Sequence, residues 1–372
     1  MKVAVLKQAA EVERRVPIVP DSLKRLKKAG IDVVVESGAG ERSFASDEDY
    51  VREGATVEPT ASGAIAAAEA VVQLHVPTEG NVKQLRQGQL LIAPILPRVN
   101  HELVRALAAQ GVTTFAVDAI PRTTVAQMMD VLSSQATCAG YHAVVRAAAM
   151  LPRFFPMLIT AAGTIAPATV LVLGAGVAGL SAIGTARRLG ARVEAFDVRK
   201  VAKEQVESLG ARFIEVDSAE DAQTAGGYAK DVSDEYKQKQ SALIGRHVAK
   251  ADVVVCTALI PGRRAPVLVT EEMVQTMKRG SIIVDLAAEQ QGNCALTERG
   301  RTTVKYGVSI VGQLDLPGEL AVHASQMYSR NMEKLLAHIT KKGELALDPD
   351  DEIVRASVVT RGGEVLVAEA RP

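Results

Sequence analysis

There is no surplus of charge, no cysteine pair and no long apolar run in this 372-residue chain, and each absence excludes a class of function. Its 43 Lys and Arg balance 43 Asp and Glu, so no net field draws it to nucleic acid or to an anionic lipid surface. Three cysteines, Cys138, Cys256 and Cys294, stand far apart with no CxxC spacing. That argues against a disulfide framework or a zinc site, suits a reducing compartment, and leaves them as small buried apolar side chains. No window reaches the ~18 apolar residues that a membrane span requires. The longest apolar stretch, 147–168, is broken by Pro152, Arg153, Pro156 and Pro167. The opening MKVAVLKQ offers no secretory core, because Lys7 ends its apolar run. The expectation is a soluble chain with no direct membrane insertion, associated with membranes only through a partner.

What is present is an ordinary globular composition, 48% hydrophobic and 23% charged, on a length sufficient for two or three domains. Short β-rich runs alternate with helical patterns. The first series of strands reads 2–6, 32–36, 71–76, 90–95 and 113–120, with helices at 21–29, 61–70 and 102–110. The second reads 169–173, 192–198, 212–216, 252–258, 281–287 and 308–312, with helices at 177–189, 203–209 and 271–277. Two such series predict an α/β protein of two doubly wound parallel-sheet, Rossmann-like domains with an interdomain cleft. A helical stretch, 127–150, links the series, and a helix at 321–338 carries the chain back to the first domain. There the tail forms a hairpin around Arg361-Gly362-Gly363. The expected division is 1–126 plus 328–372 for the first, flavodoxin-like domain and 127–327 for the second. The polar segment 217–236, with its Gly226-Gly227 pair, reads as a long loop, either mobile over a site or a plain connector.

The second series opens on the chemistry. Thr169-Val-Leu-Val-Leu173 runs into Gly174-Ala-Gly176-Val-Ala-Gly179, and a helix follows. A lone GxGxxG says little; one that follows a buried strand and opens a helix is in the context that dinucleotide binding requires. Gly174 permits the tight turn, Gly176 admits a pyrophosphate to the backbone, and Gly179 lets helix and strand pack closely. The positive end of the helix then faces the phosphates. Asp197 ends the next strand, where an acid binds the adenosine ribose hydroxyls and repels a 2′-phosphate. Arg199 beside it is the type of residue that holds such a phosphate, or it lies over the adenine or pairs with a neighbouring acid. An acid at the strand end favours NAD(H).

Stretches on both sides of this motif resemble the soluble NAD(H)-binding domain of proton-translocating nicotinamide nucleotide transhydrogenase, in the form of a separate alpha subunit. They are PRTTVAQMMDVLSSQATCAGY (121–141), ITAAGTIAPATVLVLGAGVAGL (159–180), FDVRKVAKEQVESLGARF (196–213), AGGYAK (225–230), TALIPGRRAPVLVTEEMV (257–274) and VDLAAEQQGNC (284–294). The resemblance is dense from about residue 113 to 330 and looser, but collinear, before it. It implies a nicotinamide-facing loop with Arg122, Gln127 and Asp130 in catalytic roles. Gln127 would sit between two nicotinamides, with Asp130 and Ser133 on the carboxamide and ribose end. Read without the family, these are a polar patch at the start of a helix. The resemblance also implies cofactor contacts at Met128, Met129, Val177, Val198, Arg199, Ala258 and Leu259. Gly227 and Tyr228 fall on a loop that closes over the nucleotide. It further implies NADP(H) on a partner subunit, a membrane-spanning partner, a homodimer, and a cytoplasmic place at the inner membrane through those partners.

Alanine dehydrogenase shares the fold and several of these motifs, and is the competing reading. Amine oxidation needs a proton acceptor and a cation for the substrate carboxylate. Where that family has a lysine and a histidine, this chain has Gln73 and Leu96; His75 is offset from the lysine position and is not counted. Arg15 is retained, but an anchor without a base does not make a dehydrogenase. The transhydrogenases generally keep a lysine at Gln73 as well, so the first domain departs from both. Direct hydride transfer between nicotinamides needs no substrate acid or base, which fits a chain with an NAD site and no recognisable base. A non-enzymatic alternative is an NAD(H)-responsive module that regulates a partner.

Overall fold

The computed structural model describes residues 1–8, 13–217, 233–259 and 264–367. They divide into two compact units, Met1–Gln135 with Gly318–Pro372 and Ala136–Pro317. The sequence pattern puts the boundaries at 126/127 and 327/328 instead. The difference arises because Met129 and Val131 are buried in the core of the first unit, and Ser325 accepts the Val16 N–H of that unit at 3.0 Å.

The first leg of the chain lays down six parallel strands: β1 (Lys2–Val5), β2 (Asp32–Glu36), β3 (Thr56–Glu58), β4 (Ala70–Val72), β5 (Leu90–Ala93) and β6 (Thr113–Ala116). The helix Val131–Met150 carries the chain from one unit to the next. The second unit then forms a hairpin of β7 (Leu158–Thr160) and β8 (Gly163–Ile165). Its main strands are β9 (Thr169–Leu173), β10 (Arg192–Phe196), β11 (Arg212–Ile214), β12 (Val253–Cys256), β13 (Ile282–Asp285), β14 (Thr302–Lys305) and β15 (Val308–Val311). After the helix Ala321–His338 come the small hairpin β16 (Thr340–Lys341) and β17 (Glu344–Leu345), then β18 (Val358–Arg361) and β19 (Glu364–Val365).

The sheet of the first unit has the order β19-β18-β6-β5-β4-β1-β2-β3, and that of the second β11-β10-β9-β12-β13-β15-β14. Alternate residues feed cores on opposite faces: Val170 and Val172 on one side of β9, Leu171 and Leu173 on the other. Central strands buried on both faces read as unbroken apolar runs, which makes them legible in the sequence. In the second unit β10 and β11 lie on one side of β9 and β12 on the other, so the chain order reverses between β9 and β12. Ligands of open α/β sheets bind at the carboxyl ends of strands at such a point.

The elements outside the pattern read from the sequence include polar or exposed ones of the second unit. The edge strand β14, TTVK, is polar and joined to β15 through a Tyr306-Gly307 turn in which both residues have positive φ. The hairpin β7–β8 is exposed along almost its whole length. The helix Asp234–Val248 buries one residue in four, Tyr236, Gln240, Ile244 and Val248, an apolar stripe interrupted by a glutamine. Ser233 caps it, accepting the Tyr236 N–H. All three cysteines are buried.

Candidate functional site

At the carboxyl end of β9 each glycine meets a different requirement. Gly174 has φ +100°, a conformation L side chains rarely adopt, and a Cβ there would lie 2.7 Å from the Thr257 hydroxyl. A Cβ on Gly176 would meet nothing within 4 Å, so space is open where a phosphate would approach. A Cβ on Gly179 would lie 1.9 Å from the Gly174 carbonyl oxygen, so helix and turn touch only because it has none. Gly176 is the N-cap of the helix Val177–Arg188 and supplies no side-chain acceptor to its first turn. Those N–H groups and the helix dipole suit an anion. Arg187 and Arg188 complement the opposite end. Val177, on the first turn, is exposed.

The end of β12 holds this turn in place. Thr257 donates its hydroxyl hydrogen to the Gly174 carbonyl at 2.8 Å. Fully buried Asn293 accepts from the Ala258 N–H at 3.0 Å and donates to the carbonyls of Ala258 at 2.9 Å and Pro266 at 2.8 Å. Asp285, which ends β13, accepts the N–H groups of Ala287 and Cys294 and the Thr297 hydroxyl. Burial pushes its carboxyl above the usual carboxylate range, against those hydrogen bonds. Thr257, Asn293 and Asp285 carry no assignment from the sequence alone. Their role exists only once three strand ends are side by side, although all three lie in segments that carry the family resemblance. Ala258 is half-buried and Leu259 exposed.

Asp197 follows β10, its side chain only 7% exposed. It accepts the Ala175 N–H at 2.8 Å, which ties it to the glycine turn. It also takes two side-chain bonds from Arg199, Nε at 2.8 Å and Nη2 at 2.7 Å, so the arginine pairs here with the neighbouring acid. That pairing raises the Arg199 guanidinium above its ordinary value, against the effect of its burial. Asp197 and Val198 line a cavity of about 500 Å³ with Lys200, Phe213, Glu215, Val216, Asp217 and Tyr236.

In the first unit, the short turn Ala126–Met129 is held by Asn331, whose amide donates to the Met128 carbonyl at 2.8 Å. Asp130 follows and stands before the helix Val131–Met150, accepting the Ser133 N–H at 2.9 Å and its hydroxyl at 2.6 Å. These two residues are brought together as their spacing suggests. Arg122, Gln127 and Met128 are exposed. Met129 is 6% exposed and packs in the core with Ala126 and Val131, which anchors the turn. Gly227 and Tyr228 lie outside the described residues.

Arg15 is tied on three sides. Its Nε and Nη2 donate to Glu13 at 2.9 and 2.6 Å, and Nη1 donates to Gln135 Oε1 at 2.9 Å. His75 Nε2 lies 2.5 Å from the same buried carboxylate. Burial raises the Glu13 carboxyl, but the bonds from Arg15 and His75 outweigh it and hold it down at about 2. Gln73 is 5% exposed; its Nε2 has no partner among the described residues, and its backbone carbonyl accepts from Tyr328 at 3.2 Å. Leu96 is exposed at φ +51°, its N–H donating to Asp118 at 3.0 Å. Neither Gln73 nor Leu96 has a side chain that takes up a proton.

Comparison with known proteins bears on the whole chain. Residues 4–139 match the model of the alanine dehydrogenase/PNT N-terminal domain, and 143–368 that of the C-terminal domain. An NAD(P) transhydrogenase alpha-subunit chain of Rhodospirillum rubrum is 44% identical over 375 residues, covering 98% of each chain. A solved transhydrogenase from Sinorhizobium meliloti superposes with a TM-score of 0.86 at 43% identity, over 99% of both chains. A solved L-alanine dehydrogenase superposes with a TM-score of 0.83 but at 26% identity, over 100% of this chain and 98% of that one.

Proposed function

We propose a function from one premise: the chain belongs to the alanine dehydrogenase/PNT family and, within it, groups with the NAD(P) transhydrogenase alpha subunits. It is the NAD(H)-binding subunit of a proton-translocating transhydrogenase and acts with partner subunits. When bound, the nicotinamide supplies or accepts a hydride, exchanged directly with the nicotinamide of NADP(H) held by a partner subunit. The helix N-terminus at Gly176 holds the pyrophosphate, and Asp197 accepts the ribose hydroxyls. Asp130 and Ser133 hold the carboxamide and ribose end, while Arg122 and Gln127 orient the ring and keep water from it. Proton translocation belongs to a membrane-spanning partner. Among the described residues no helix is long and apolar enough to cross a membrane. The subunit works at the cytoplasmic face of the inner membrane through those partners. It forms a homodimer, supported by the exposed apolar hairpin of the second unit.

The observation that carries this reading over an amino-acid dehydrogenase is the commitment of Arg15 to Glu13 and Gln135. A guanidinium so engaged is a strut rather than an anchor for a substrate carboxylate. The test titrates the purified chain with NADH by nicotinamide fluorescence, then measures single-turnover transfer after adding the NADP(H)-binding partner chain. Binding followed by transfer is expected. Turnover of alanine with NAD, or of pyruvate and ammonia with NADH, would sink the reading. Binding with no transfer would leave an NAD(H)-responsive module.

A further inference from the structure

We infer that Asn293 is a positioning residue for the nicotinamide half of the dinucleotide: its side-chain amide continues the strand pairing beyond the end of β12 and fixes the backbone there. The inference rests on the NAD(H) reading above. β12 pairs with β13 as far as Cys256 beside Asp285, and the Leu286 N–H donates to the Cys256 carbonyl at 2.9 Å. The chain after β13 then turns through Ala288–Gln290, so β13 does not extend to Ala258. Asn293 takes its place. Oδ1 accepts the Ala258 N–H at 3.0 Å, and Nδ2 donates to the carbonyls of Ala258 at 2.9 Å and Pro266 at 2.8 Å. Both amide donors are used, and the reverse orientation would set the oxygen against two carbonyls. Asn293 is itself fully buried, and its own carbonyl accepts the N–H groups of Leu268 at 2.8 Å and Val269 at 3.0 Å.

The strand order relates this backbone to one half of the ligand. In the proposed site the adenosine ribose meets Asp197 after β10, and the pyrophosphate meets the turn after β9. β12 lies on the other side of β9, so the nicotinamide half runs over its carboxyl end. The two residues there are locked from opposite sides. Thr257 donates to the Gly174 carbonyl at 2.8 Å, and Ala258 is held at both its N–H and its carbonyl by Asn293. Without the amide, one backbone N–H and two carbonyls lose their partners, and Ala258 must shift to satisfy its own. Asp197 is tied instead to the Ala175 N–H, so the adenosine end keeps its own support.

The test uses the full chain and the variants Asn293→Asp and Asn293→Ser. Aspartate keeps the acceptor but turns a carboxylate toward two carbonyls; the shorter serine is run in parallel, so that a folding failure of one variant does not decide the outcome. NADH binding is measured by fluorescence, and binding of ADP, which lacks the nicotinamide half, by calorimetry. Exchange of the Ala258 amide hydrogen is followed by mass spectrometry without nucleotide. Both variants are expected to bind NADH at least tenfold more weakly than wild type and ADP within twofold of it. The Ala258 amide should exchange slowly in wild type and lose that protection in the variants. A folded variant that loses NADH and ADP equally, or loses neither, would overturn the inference, as would rapid exchange of the Ala258 amide in wild type. Wild-type protein that protects this amide but fails to bind NADH overturns the functional reading instead.

Discussion

At the scale of single residues, Gly176 and Gly179 separate binding from folding. A methyl group on Gly179 would enter the Gly174 carbonyl, so Gly179→Ala must move backbone against backbone. Overpacking of this kind costs roughly 1–3 kcal/mol. Gly179→Ala should therefore lower the melting temperature and abolish NADH binding together. Gly176→Ala places its methyl in open space at φ −77°, so stability should stay within about 0.5 kcal/mol of wild type. NADH affinity should nevertheless fall, because in the proposed site that space admits the pyrophosphate. Equal loss of stability in both variants would refute the distinction. Gln127 makes a different separation. It is exposed on a turn held by Asn331, so Gln127→Asn shortens a side chain that supports no core. NADH affinity should be nearly unchanged, while single-turnover transfer to the partner's NADP should slow on the order of 100-fold. A variant that loses affinity yet transfers normally when saturated would make Gln127 an ordinary binding residue.

At the scale of elements, one buried ion pair ties three segments of the first unit. Glu13 holds Arg15, Arg15 holds Gln135 on the helix Val131–Met150, and Gln135 donates to the Ala324 carbonyl of the helix Ala321–His338 at 3.1 Å. Because the Glu13 carboxyl is depressed from 4.5 to about 2 on folding, its contribution is fully present above about pH 4.5 and is lost as pH falls through 2. That shift corresponds to about 3 kcal/mol. Denaturant unfolding of wild type and Glu13→Gln should differ by this order at pH 7, and the gap should close between about pH 5 and pH 2. A gap independent of pH would mean that the carboxyl is not depressed. The tie itself is not legible in the sequence, where Arg15 looks like a substrate anchor, since nothing in RRVPIVP shows that Glu13 folds back onto it. The buried parallel strands, the glycine turn and the helix Ala321–His338 are legible, because continuous apolar runs, a turn that tolerates only glycine and a 3.6-residue period are local signals. Edge strand β14 and the helix Asp234–Val248 carry too little apolar pattern to declare themselves. Asn293 and Thr257 become site residues only through tertiary closure.

At the scale of the whole molecule, a hairpin of the second unit stands uncovered. Among the described residues, the strands β7 and β8 pair only with each other. Ile159 is 80% exposed, and Met157 and Ile165 are exposed as well. A lone two-stranded hairpin is at best marginally stable in water, and a cluster of exposed apolar side chains marks a contact surface. A second copy is the partner that the proposed homodimer supplies, and a two-fold axis would bury the same patch on both chains. Sedimentation at micromolar concentration should therefore show a dimer. Ile159→Asp, which buries a carboxylate if the contact forms, should shift the chain toward monomer. It should leave the unfolding of the glycine turn and the affinity for NADH unchanged, since no strand of the main sheet is altered. A wild-type chain that sediments as monomer would refute the dimer, and an Ile159→Asp chain that stays dimeric would place the contact elsewhere.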